Sequence, residues 1–114
     1  MKKVNILKNS RDFDRIIKNN KPYKYKDYII YLERKTTDVY HFGISVGKKI
    51  GNAVVRNKIK RQLRSIISKN DYQNNFNCII IVRKDFLLNS FSENENVLLN
   101  TFKKFELFKE DNYE

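Results

Sequence analysis

Cysteine, proline and glycine are scarce in this chain of 114 residues: one Cys, one Pro and three Gly, with a single His and no Trp. The lone Cys78 cannot close an internal disulfide, and with only His41 as a nitrogen partner it cannot assemble a zinc cluster. Its setting, the apolar run CIIIV, predicts a buried structural thiol. Gly47 and Gly51 bracket a basic turn, but neither belongs to a phosphate loop of the P-loop or dinucleotide type. No window of about 18 uncharged apolar residues is present that could span a bilayer. The first residues, MKKVNILKNSRDFD, begin with two lysines, but Asn5 and Lys8 break the apolar run that a secretory signal requires. The expectation is a cytoplasmic chain with no membrane partner.

A protein catalytic centre is also missing. His41 sits inside an alternating strand pattern, and no Cys or Ser has a recognisable base partner. The acids Asp12, Asp14, Asp27, Glu33 and Asp38 show no motif for a metal pair. Neither a protein metal site, a catalytic residue nor a small-molecule substrate is therefore expected.

What is present is apolar bulk and positive charge. An apolar fraction of 40%, with eight Phe and seven Tyr, suffices for one core, and the length suits one domain over 1–114. Residues 1–64 hold 12 Lys, 6 Arg and 5 acids, net +13, whereas residues 65–114 hold 5 Lys, 1 Arg and 8 acids, net −2; together they give the total of +11. A field of that sign, confined to one part of the chain, attracts a polyanion.

The pattern of elements predicts an α+β fold. Asn9 or Ser10 caps a helix over about 10–19, ended by NNKP. DYIIYLE (27–33), followed by the polar turn KTTD, and VYHFGISV (39–46) read as an antiparallel pair of strands. Ala53 to Val55 reads as a short extended piece, followed by a helix from near Arg56 to Ser68. NCIIIVRKD (77–85) has the continuous apolar character of a central strand covered on both faces. Ser92 and Glu95 offer a capping box for a last amphipathic helix over about 93–109.

The stretch KKIGNAVVRNKIKRQLR, Lys48 to Arg64, carries the functional signal. At about 100° per residue, Ile59, Leu63, Ile66 and Ile67 share one face, which docks on a sheet. Arg56, Lys60 and Arg64 follow at i+4 steps beside Asn57 and Arg61, with no acid among them. Like charges so placed repel, a cost that a row of phosphates relieves. Arginine adds a planar fork that fits phosphate oxygens in pairs. Alternation along the first strand sets Tyr31 and Ile29 opposite Tyr28 and Ile30, so one tyrosine can stay on an open face and stack on unpaired bases.

That seventeen-residue stretch closely resembles the signature of the bacterial ribonuclease P protein component, a basic helix known by its Arg-Asn-Arg start. NSRDFDRIIKN resembles the family's first helix, YIIYLE and FGISVGKK its first strands, and CIIIVRK its last strand, so the likeness spans roughly residues 5–109. The resemblance implies an αβββαβα sandwich with a left-handed βαβ crossover through the basic helix. It also implies a protein cofactor of an RNA enzyme that removes the 5′ leader from precursor tRNA, with Mg2+ held mainly by the catalytic RNA. The implied partners are that RNA and the single-stranded leader. By position, Arg56, Asn57, Lys58, Lys60, Arg61 and Arg64, with Lys48, Lys49 and Asn52 before them, are the RNA-binding residues. Phe13, Ile17 and Tyr31 are those of the leader cleft. Two positions depart from the pattern: Lys58 stands in place of the second arginine and lacks its fork, and Ile17 stands where some members have an aromatic. The rival reading is a structural RNA-binding protein of ribosomal type. Binding to an anionic membrane through the basic helix is disfavoured, because the core claims that helix's apolar face.

Overall fold

The structure, a computed structural model, describes residues 2–34 and 38–109. Its elements run α1 (Ser10–Asn19), β1 (Tyr23–Tyr25), β2 (Tyr28–Arg34), β3 (His41–Val46), α2 (Ala53–Ser68), β4 (Phe76–Val82) and α3 (Phe91–Lys104). Short 3-10 turns lie at Lys3–Asn5 and Lys84–Leu88. This is the expected αβββαβα order, reached with different strands. The sheet order is β1-β2-β4-β3. β4 lies antiparallel to β2 and parallel to β3, so β3 and β4 are joined by a crossover through α2.

The expected antiparallel pairing of residues 27–33 with 39–46 is therefore corrected, since β4 inserts between them. The reason lies in burial. Every residue of FNCIIIV except Ile81 is buried, Ile79 and Ile80 fully, and only a central strand is covered on both faces. A β2–β3 hairpin would have left that strand at an edge. Of the KTTD turn only Asp38 falls within the described residues. The extra early strand is β1, joined to β2 by the two-residue turn Lys26-Asp27, with Lys26 at φ 50°.

Ala53 to Val55 are not extended but form the first turn of α2. The Asn52 side chain accepts a hydrogen bond from the Val55 amide at 3.0 Å, so the Gly51-Asn52 break is the helix cap. At the last helix the capping box uses Ser90 and Glu93 rather than Ser92 and Glu95. Ser90 Oγ accepts from the Glu93 amide at 3.1 Å, and Glu93 accepts from the Ser90 amide at 2.9 Å. Two overlapping S-x-x-E frames exist, and the earlier one is selected because only Asn89 separates Ser90 from the preceding turn. Glu95, released from that role, lies 3.6 Å from Lys69 Nζ. The helix ends at Lys104, and the chain turns at Glu106 (φ 56°) to bury Leu107.

Helices α2 and α3 cover one face of the sheet. Ile59, Leu63, Ile66 and Ile67 meet Leu98, Phe102 and the strand residues Tyr28, Ile30, Phe42, Phe76, Cys78 and Ile80 in one core. Six rings gather there: Tyr40, Phe42, Tyr72, Phe76, Phe102 and Phe108 contact one another with centroids 4.9 to 6.2 Å apart. Cys78 is fully buried, and desolvation pushes its thiol well above the usual range, so it is the structural thiol expected. Helix α1 covers the opposite face, which leaves that face only partly closed.

Candidate nucleic-acid interface

Three rows of side chains cross the α1 side of the sheet, fixed by strand register. The first row is Glu33, Asn77 and His41; the second is Tyr31, Ile79 and Gly43; the third is Lys24, Ile29, Ile81 and Ser45. The first row is polar and clamped. Arg15 of α1 pairs with Glu33, whose other oxygen accepts from Asn77 Nδ2 at 2.9 Å. That contact fixes the Asn77 amide, so its Oδ1 accepts from His41 Nδ1–H at 2.8 Å. His41 is thus a structural member of a hydrogen-bonded chain.

The second row is roofed by α1. Ile16 and Ile79 are fully buried, and the Phe13 ring lies against Gly43, where a built Cβ would sit 2.5 Å from Cζ. Ile17 is half-buried and lies outside the main core, because Ile16 takes the inward position on the helix. Tyr31, paired in register with Ile79, stays half-exposed, while Tyr28 and Ile30 on the other face are buried. The alternation read from the sequence is therefore the observed one. The third row lies beyond α1 and is open: Lys24 is exposed, and Ile29, Ile81 and Ser45 are half-exposed. Sequence reading set Ile29 on the face of Tyr31 but missed the other three. Their signal was the period-2 alternation of β4 and β3, which is usable only once the order of strands is known.

Gly43→Ala should force the Phe13 ring off the sheet at a cost of about 1–3 kcal/mol in overpacking. The melting temperature checks the cost, and ring-proton shifts of Phe13 check the displacement.

The basic helix lies behind the β3 edge. Along that edge the N-terminal segment is tied down by a bridge from Ile6 to Phe42 and by Leu7 N donating to Phe42 O at 2.9 Å. Lys8, Phe13, Lys60 and Arg64 line one cleft of about 320 Å³ there. The fold thus brings Phe13, from one side of the sheet, together with two cations of α2 from the other. Arg56 is half-buried, and its Nε is shielded from solvent without an acceptor. Asn57 and Arg61 are exposed, as are Lys48 and Lys49 in the turn closed by Ile50 N donating to Gly47 O. Lys58 does not join the stripe: it lines a groove beside Gln62 and Phe91, toward α3. Among the described residues no ion pair engages any cation of α2. Its first turn carries no acid, so the positive end of the helix dipole faces solvent uncompensated. The Asn52 side chain, by contrast, is committed to the cap.

Comparison with known proteins decides the class. The family profile of ribonuclease P matches residues 1–106. The chain belongs to the ribonuclease P protein family. It is 38% identical to the ribonuclease P protein component of Mesoplasma florum over 101 residues, covering 86% of this chain and 92% of that one. It is 32% identical to the component of Streptococcus pneumoniae over 98% of this chain and 93% of that one. Among solved structures, the RNase P protein of Staphylococcus aureus superposes with a TM-score of 0.81 at 30% identity, covering 92% and 98% of the two chains. That of Thermotoga maritima superposes with a TM-score of 0.76 at 31% identity, covering 86% and 94%. Membership assigns this chain to ribonuclease P and hence to tRNA processing, and implies an RNA partner. It favours that reading over the ribosomal-type module. Among the described residues no helix is long and apolar enough to cross a membrane, and no group of three or more His, Cys, Asp or Glu could hold a metal ion.

Proposed function

We propose that this ribonuclease P protein binds the catalytic RNA through α2 and the turn before it, and holds the single-stranded 5′ leader of precursor tRNA in the groove between α1 and the sheet. The observation that supports this best is the cleft at the β3 edge, where Phe13 and the unpaired cations Lys60 and Arg64 meet. An aromatic face beside guanidinium and ammonium groups suits a stacked base and its phosphate. Arg56, Asn57 and Arg61, with Lys48 and Lys49, extend the positive surface toward the RNA, and Lys58 adds charge on the α3 side. Tyr31 and Ile17 flank the groove. Asn52 acts by starting the helix that carries the cations.

Catalysis in this reading resides in the RNA. The acids present do not fit a magnesium cage, since the first-row carboxylate of Glu33 is already paired with Arg15 and Asn77. The ion is placed with the RNA, and the protein's part is to lower the repulsion between two polyanions. The cytoplasm, where precursor tRNA is found, is the proposed compartment. Purified protein alone should leave precursor tRNA intact, whereas added to the cognate RNA it should restore cleavage at magnesium levels too low for the RNA by itself. Cleavage by RNA-free protein in the presence of metal refutes the assignment.

A further inference from the structure

The open third row runs off the sheet at Lys24, on the outer strand β1, at the edge opposite α2. From Lys21 to Lys26 the chain reads KPYKYK, cations alternating with tyrosines. Lys24 faces the groove, while Tyr23 and Tyr25 lie on the other side of the strand with rings 6.1 Å apart. Tyr23 is half-buried and braced edge-on by Phe105 at 5.1 Å. Tyr25 has no such brace and is 36% exposed, with Lys26 Nζ 5.7 Å from its ring. Among the described residues no ion pair engages Lys21, Lys24 or Lys26. The acid of this turn, Asp27, is buried and accepts from Asn89 at 2.7 Å. An exposed ring just over the sheet edge from the groove floor, among unpaired cations of which Lys24 belongs to that floor, is a surface of the kind that binds single strands.

Four strands at about 4.8 Å spacing make the groove floor only about 14 Å wide from Ser45 to Lys24. A strand of more than a few nucleotides must therefore leave over an edge. At the β3 edge it meets α2 and, in the reading above, the catalytic RNA, where the cleavage site must lie; the distal part of the leader then leaves over β1.

We propose that the β1 edge is a second single-strand subsite, in which Tyr25 stacks on a base of the distal leader while Lys24 and Lys26 meet its phosphates. The inference rests on the groove being the leader's path. It is tested in holoenzyme reconstituted with the cognate RNA, using precursor tRNAs with leaders of about four and about twelve nucleotides, a span typical of small single-strand sites. Tyr25→Ala should weaken binding of the long-leader substrate about fivefold, the low end for one stacked base, and leave the short-leader substrate unchanged. Tyr25→Phe should retain the affinity, and Lys24→Gln with Lys26→Gln should reduce the salt dependence for the long leader only. Tyr31→Ala, measured alongside, should weaken both leader-bearing substrates relative to mature tRNA. A leader effect at Tyr31 with none that depends on length at Tyr25 or the lysines overturns the subsite and leaves the groove reading standing. Failure at Tyr31 overturns the groove reading, and with it the path on which the subsite rests, whereas a leader effect at Tyr31 with a length-dependent loss at Tyr25 supports both.

Discussion

Replacing Arg56, Lys60 and Arg64 together by Gln should weaken binding of the catalytic RNA about a hundredfold near physiological salt, with no loss of fold. Each phosphate contact contributes about 0.7 to 0.9 to the slope of log affinity against log salt, so three contacts carry about two decades between physiological and molar salt. The slope itself should flatten by about 2 to 3. The helix should survive, because its anchors are Ile59, Leu63, Ile66 and Ile67, at most 3% exposed, and none of the three cations has an ion-pair partner to lose among the described residues. At Arg56 the change removes a shielded donor that has no acceptor, which by itself favours the folded state. Filter binding across a salt series beside thermal melts checks both halves. An unchanged slope would make the stripe a solvated face, and a collapsed melting temperature would make it structural.

The basic helix was legible in the sequence because both of its faces are written locally. An apolar i, i+4, i+7, i+8 set and an acid-free stripe need no tertiary knowledge, and only the first turn was misplaced: Asn52 caps at a Gly-Asn break that resembles a strand end. The sheet was less legible, because strand order is a non-local property. Residues 27–33 and 39–46 read as strands from their own composition and alternation, yet nothing in either one states that β4 lies between them. The continuous apolar run of β4 held that information, since burial on both faces requires a central place. β1 escaped because three residues with a lysine in the middle, joined by a Lys-Asp turn, lack the Asn-Gly hairpin signal. The candidate site inherits the same division. Phe13, Tyr31 and the cations of α2 were found individually, while the joining of Lys24, Ile29, Ile81 and Ser45 in one open row and the meeting of Phe13 with Lys60 and Arg64 follow only from register and packing.

Tyr31→Ala should separate leader binding from stability. Tyr31 is half-exposed on the groove side and lies outside the main core, whereas Tyr28, three residues earlier on the same strand, is fully buried with its hydroxyl donating to Asn94 O at 2.9 Å. Truncating Tyr28 empties a packed site and should cost about 3–5 kcal/mol of folding free energy, depressing every affinity together. Truncating Tyr31 removes a ring that a leader base can stack on, an interaction of about 1–3 kcal/mol. The variant should therefore bind leader-bearing precursor tRNA about five- to a hundredfold more weakly, since about 1.4 kcal/mol is tenfold in affinity. Binding of mature tRNA and of the catalytic RNA should stay near wild type, because neither occupies the groove. Melting temperatures of the two variants, measured with these three affinities, distinguish the roles. Equal loss for precursor and mature tRNA would overturn the groove as the leader's path, and a stability loss at Tyr31 matching that at Tyr28 would return Tyr31 to the core.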